Sequence, residues 1–100
     1  MTTFGFLPPL AAIGVACDVT VEDDCLQAMA EARRLFGAID LLVNNAGITH
    51  RSAFSGTEPA VIRRVMSVNF FGALHCTHAA LDELVARRGM VIAISSVAGF

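Results

Sequence analysis

The sequence predicts an α/β fold built on a parallel sheet, and three observations carry that reading. Residues 13–18, 39–43 and 90–94 are apolar runs of strand length. They are continuous instead of alternating, as strands covered on both faces are. Each run also breaks off into polar residues or glycine. Between them, apolar residues recur at helical spacing and supply the layers that cover a sheet. About three strands and two main helices are expected.

Residues 1–12 carry Gly5, Pro8 and Pro9 and show neither period, so they read as an irregular N-terminal arm. Residues 13–18 form the first expected strand, closed by Asp18, whose carboxylate suits a turn that collects nearby backbone N–H groups. Thr20 is placed to cap the first helix, with Glu22, Asp23 and Asp24 in its first turn, where carboxylates complement the helix dipole. Cys25, Ala28, Met29, Ala32 and Leu35 make its apolar face, and Gly37 ends it.

The next run starts at Ile39 and gives way to Asn44-Asn45-Ala46-Gly47, a buried strand ending in a polar turn. In open α/β sheets, ligands occupy the crevice beyond the carboxyl ends of the strands, so the two asparagines stand at its rim. Residues 48–56 form a loop at the same rim, with Thr49, His50, Arg51, Ser52 and Ser55 available to a substrate or to solvent.

Thr57 is expected to cap the longest helix, with Pro59 tolerated in its first turn. The apolar stripe runs through Ile62, Val65, Met66, Ala73, Cys76, Ala80 and Leu84 to about Arg88. Asn69 falls on that stripe and is aimed at the sheet side. A buried amide must find partners or cost roughly 1–3 kcal/mol, so Asn69 is expected to bond a backbone carbonyl or a water. His75, Cys76 and His78 invite a metal reading but lack a third ligand of suitable spacing, and His78 lies opposite Asn69 as a solvent or subunit-contact residue. Gly89 ends the helix after Arg87 and Arg88. The last strand delivers Ser95-Ser96 to the rim, where two serines by themselves form a turn.

Composition bounds the rest. Of 100 residues, 55% are apolar and 16% charged, more apolar than a domain of this size easily buries, which suggests the inner portion of something larger. A net charge of −2 and the absence of a basic stripe argue against nucleic-acid and anionic-membrane partners. Cys17, Cys25 and Cys76 lack disulfide or Cys-x-x-Cys spacing and read as small core fillers in a reducing compartment. Residues 4–17 are apolar, but no Lys or Arg precedes Arg33 and Pro8-Pro9 interrupts them, which disfavours a signal peptide. No run is expected to span a membrane, and the cytoplasm is the expected location.

Four pieces in order resemble one family: Cys17-Asp18-Val19-Thr20, Asn44-Asn45-Ala46-Gly47, Ser67-Val68-Asn69, and Ile94-Ser95-Ser96-Val97-Ala98-Gly99. With helix-length spacers between them, the chain is identified as similar to the short-chain dehydrogenase/reductase family from Ile13 to Gly99. The resemblance implies a partial Rossmann-like, doubly wound parallel sheet, with residues 13–100 a partial dinucleotide-binding domain. It implies an NAD(P)-dependent oxidoreductase of the alcohol dehydrogenase or carbonyl reductase type, using NAD or NADP and a small carbonyl or alcohol substrate. In that pattern Asp18 lies beside the adenine, and Asp18, Val19, Asn44, Ala46 and Gly47 line the adenosine side. Asn69 anchors a water in the proton relay, and Ser96 hydrogen-bonds the substrate oxygen as an electrophilic stabiliser.

The family's tyrosine proton donor and its lysine have no counterpart, because the sequence contains no tyrosine and no lysine. Its glycines, at 5, 14, 37, 47, 56, 72, 89 and 99, form no phosphate-cradling motif. The residues that separate NAD from NADP are likewise not among these. Turnover by the 100-residue chain is therefore not expected, and an isolated unit is expected to be marginal, with apolar sheet edges. Three readings follow: a fragment of a reductase; a non-catalytic module pairing with a full-length relative through the 57–88 helix, which pairs subunits in many family oligomers; or an ordinary reductase gene with a misplaced start and a cut-off end.

Overall fold

A computed structural model describes residues 12–96. The irregular arm expected at 1–12 lies, but for Ala12, outside the described residues, as does the Val97-Ala98-Gly99 part of the last motif. The order is α1 (Glu22–Phe36), β1 (Leu41–Asn44), a 3-10 turn (Phe54–Gly56), α2 (Pro59–Met66), a π-helical turn (Ser67–Phe71), α3 (Gly72–Arg87) and β2 (Met90–Ala93).

The α/β class and the parallel sheet are as expected. β1 pairs with β2 in parallel, in a register running from Leu41 opposite Met90 to Asn44 opposite Ala93. The ladder is extended past β2 by the Ile94 N–H, which donates to the Asn44 carbonyl at 3.1 Å. Both polar turns are thereby brought to the same end of the sheet. The sheet has two strands, not three. Residues 13–18 have no ladder partner among the described residues, and Ile13 and Val15 stay exposed. β1 and β2 pair along their facing edges, and the 13–18 segment is held at its carboxyl end, where Val19 packs on α3.

The core is small. Ile39, Ala80 and Leu84 are buried together, with Met29, Ala32 and Leu42 packed against them, so that α1, α3 and β1 meet in one cluster. The strands are covered on one face only: Leu42 turns toward this cluster, whereas Leu41 and Val43 are about half exposed and no residue of β2 is buried. The expectation of strands buried on both faces is corrected by that finding, since among the described residues no element covers the second face.

The helix ends also depart from expectation. Thr20 caps nothing; its N–H and hydroxyl both go to Asp18 Oδ1, closing a turn before α1, whose N-cap is Val21. Thr57 likewise donates its hydroxyl to the Ala53 carbonyl, and Glu58 is the N-cap of α2. Gly37 does end α1, in the left-handed conformation at φ 85°. At the end of α3 the left-handed residue is Arg88, at φ 52°, not Gly89. Gly89 is needed for close approach instead: a Cβ there would sit 2.5 Å from the Asp40 carbonyl oxygen.

Candidate functional site

Beyond the carboxyl ends of β1 and β2 lies a cleft of about 760 Å³. Of the residues singled out in the sequence, Val19, Asn44, Ala46, Gly47, Asn69 and Ser96 line it. Asp18 does not, although its neighbour Val19 does. The fold thus draws four separated stretches of chain onto one cavity. Small side chains at Ala46, Gly47, Gly72 and Ala73 keep its walls open.

Asn69 connects two of those walls. Its amide oxygen accepts the Ile48 N–H and its amide nitrogen donates to the Ile48 carbonyl, both at 2.8 Å. The side chain imitates a strand partner for the loop after Gly47. Gly47 lies directly against this amide: a Cβ there would touch Asn69 Oδ1 at 3.4 Å, an ordinary contact distance. The expected carbonyl partner is therefore present, but Asn69 is exposed at the cleft and not buried under the sheet. The helix between Thr57 and Arg88 is also not uniform. The π-helical turn at Ser67–Phe71 carries Asn69 and departs from the hundred-degree phase that a regular helix gives.

Asn44 is held from behind. Its side-chain amide donates to Thr77 Oγ1 at 3.0 Å, fixing which way the strand-end amide faces. Thr77 was not singled out in the sequence, yet a signal existed: it lies four residues after Ala73 and three before Ala80, on the apolar stripe, where a hydroxyl needs a reason. Gly72 is a second residue missed. Its Cβ would meet Val19 Cγ2 at 2.6 Å, so only glycine lets Val19 lie against α3. Val19 is also bound through its backbone, with its carbonyl accepting from His75 Nδ1 at 2.8 Å, which places the proton on Nδ1.

Asp18 is a turn carboxylate. The two bonds from Thr20 to its carboxylate hold its pKa below the ordinary value of 3.8, while its own N–H donates to Asp24 Oδ2 at 3.0 Å.

On the rim loop, His50 Nε2 lies 3.0 Å from Ser52 Oγ, which in turn bonds Thr57 Oγ1. The hydroxyls of Ser52 and Thr57 both also reach the Ala53 carbonyl, so His50, Ser52 and Thr57 form one local hydrogen-bonded cluster within the loop. His50 and Ser52 border a second, smaller pocket with Phe54 and the apolar face of α2, and neither lines the main cleft. Among the described residues no group of three or more His, Cys, Asp or Glu side chains could hold a metal ion, and no helix is long and apolar enough to cross a membrane.

A helix-covered parallel sheet with an amide-and-serine cleft at its carboxyl end defines a Rossmann-like α/β protein. The short chain dehydrogenase family matches residues 9–100, and the chain belongs to that family. It is 48% identical over 73 residues to the dehydrogenase/reductase SDR family member 7B of Rattus norvegicus, covering 72% of this chain and 22% of the relative. It is 37% identical over 89 residues to the 11-beta-hydroxysteroid dehydrogenase 1A of Arabidopsis thaliana, covering 88% and 26%. Its fold resembles that of a short-chain dehydrogenase from Streptomyces avermitilis, with a TM-score of 0.77 and 34% identity over 82% of this chain and 30% of the other. A gluconate 5-dehydrogenase from Burkholderia cenocepacia, in complex with NADP and tartrate, superimposes with a TM-score of 0.74 and 37% identity over 80% and 32%. The chain spans about a quarter of the length of these curated relatives.

Proposed function

We propose that these residues are part of an NAD(P)-dependent oxidoreductase that moves a hydride between a nicotinamide and an alcohol or carbonyl carbon. The observation that supports it most is the convergence of Asn44, Ala46, Gly47, Asn69 and Ser96 on one cleft at the carboxyl ends of two parallel strands. The cleft suits a nucleotide's flat faces, because small residues form its walls and the backbone of residues 44–48 is fixed by Thr77 and Asn69. Val19 would bound the adenosine with Asp18 beside the base, and Asn44, Ala46 and Gly47 would border the ribose. Once bound, the nicotinamide supplies the centre that gives or takes the hydride. Ser96 Oγ would orient the substrate oxygen, and Asn69, by fixing the loop at Ile48, would hold the rim in register with it.

The 100-residue chain lacks the tyrosine and lysine that move the proton, and its glycines make no diphosphate cradle. We propose that it binds the cofactor weakly and does not turn over, and that the active protein is cytoplasmic and pairs subunits through the long helix. The test compares the gene product purified from its source cells with the 100-residue chain, by intact mass and by NAD(P)H-dependent carbonyl reduction. A larger, active native product beside an inactive chain is expected. Turnover by the chain itself would overturn the proposal.

A second reading, an interaction module without chemistry, is favoured by one feature. Leu74, His78, Leu81 and Val85 fall at alternating four- and three-residue spacing along α3, and all are exposed. A native product of only these residues, co-purifying with a full-length relative, would favour this reading.

A further inference from the structure

Three cysteines that the sequence separates are gathered behind the cleft wall. Cys76, in the first half of α3, lines the cleft and is partly buried. Directly behind it, Cys25 of α1 is fully buried, and the two sulfurs are 3.7 Å apart. Cys17, exposed, lies close enough to Cys25 for the two thiols to influence each other, and Cys25 Sγ also donates to the Val19 carbonyl at 3.7 Å. Small cores do use cysteine as an apolar filler. That role does not explain why one thiol should face a cavity with a second at its back.

We propose that Cys76 and Cys25 are a reversible oxidation site, in which a peroxide entering the cleft converts the pair to a disulfide joining α3 to α1. Cys76 is the attacking thiol because it meets the cavity, and Cys25 is the resolving thiol because it is shielded and in contact. In the first step the Cys76 sulfur, having given up its proton, attacks one peroxide oxygen. The O–O bond breaks, the leaving hydroxide takes that proton as water, and Cys76 becomes a sulfenic acid. In the second step the Cys25 sulfur attacks the Cys76 sulfur, the S–O bond breaks, and the hydroxyl leaves with the Cys25 proton as a second water. Two thiols are oxidised by two electrons, and one peroxide is reduced to two waters. Both sulfurs sit on helices that pack directly on one another, so closing the contact to a bonded length of about 2.05 Å asks for side-chain rotation and a small approach of the helices. Burial raises the thiol pKa of both residues, which slows the reaction at neutral pH without changing which pair reacts. The proposal does not rest on the cofactor reading, since it concerns only the two thiols and access through the cleft.

The reduced 100-residue chain is treated with hydrogen peroxide, blocked with N-ethylmaleimide, digested and mapped by mass spectrometry. The expected product is a cross-linked peptide pair containing Cys25 and Cys76, lighter by two hydrogens, lost on reduction with dithiothreitol and retained in Cys17→Ser. Short exposures in the presence of dimedone should label Cys76 before Cys25. A bridge confined to Cys17 and Cys25, a dimer linked only through Cys17, or Cys76 driven to sulfinic acid with no cross-link would each overturn the proposal. The map on the unaltered chain decides the pairing, and Cys17→Ser serves only as its control.

Discussion

At the residue scale, Asn69 shows how one side chain ties two elements together. Its amide takes both backbone groups of Ile48, and two net hydrogen bonds of that kind contribute about 1–3 kcal/mol to holding the loop. Asn69→Ala should therefore free the rim loop without unfolding the helix. Amide exchange at Ile48 is expected to accelerate at least roughly tenfold while α3 amides keep their protection. Asn69→Asp should behave like the alanine variant, because an ionised carboxylate can still accept the N–H but repels the carbonyl. Unchanged exchange at Ile48 in both would show that the loop is held by something else.

The thiols make a second residue-scale prediction, about pH. Burial, with hydrogen bonding to Cys76 next, pushes the Cys25 thiol up to about 11 from its ordinary 9.0. The folded state keeps a proton that the unfolded chain gives up first, so this contribution is complete below pH 9.0 and is lost as pH rises toward about 11. A denaturation midpoint followed from pH 8 upward should fall across that window. Cys25→Ala should be less stable throughout yet show a flatter alkaline slope. An equally steep slope in the variant would assign the effect to other groups.

At the scale of elements, the end of α3 sets the geometry of the sheet. The chain must leave the helix and enter β2 within the few residues around Gly89, and it does so by placing Arg88 in the left-handed region and laying Gly89 on Asp40. A side chain in that conformation costs about 1 kcal/mol relative to glycine. Arg88→Gly is expected to raise stability by about that much, with the exposed cation contributing little in return. Gly89→Ala is expected to lower it by roughly 1–3 kcal/mol, because the new Cβ meets the Asp40 backbone, which cannot turn away, as well as the buried Leu84 side chain. Urea midpoints of the two variants should move in opposite directions, and movement of both the same way would contradict this division of labour. Their positions were visible in the sequence, but their roles were not. Helix-end signals place a glycine near the left-handed site, and only the register of the following strand decides which residue takes it.

At the scale of the whole molecule, legibility divides by range. The α/β class, the parallel strands and the meeting of the Asn44 turn with Ser95-Ser96 were readable, because strand-length apolar runs ending in polar residues are local signals with one common outcome. Asn69 was readable as a residue needing partners, but not as the partner of Ile48, because the π-helical turn shifts its phase. Residues 13–18 have a strand's composition without a strand's neighbour, and no local pattern reports whether an edge will be available. Thr77 behind Asn44 arises from α3 packing on β1 and the approach of Cys25 to Cys76 from α3 packing on α1, contacts between stretches 33 and 51 residues apart that periodicity cannot register.

On the function proposed above, the cleft beyond β1 and β2 is the nucleotide side of a dehydrogenase site. A ¹⁵N NMR titration of the chain with NADPH tests it most directly, since it locates binding even when affinity is on the order of millimolar. Shifts are expected to concentrate at Val19, at Asn44 to Ile48 and at Asn69 and Ser96, and to diminish in Asn69→Ala. Shifts clustered on the His50 and Phe54 pocket or on the outer face of α3, or no shifts at all, would contradict it.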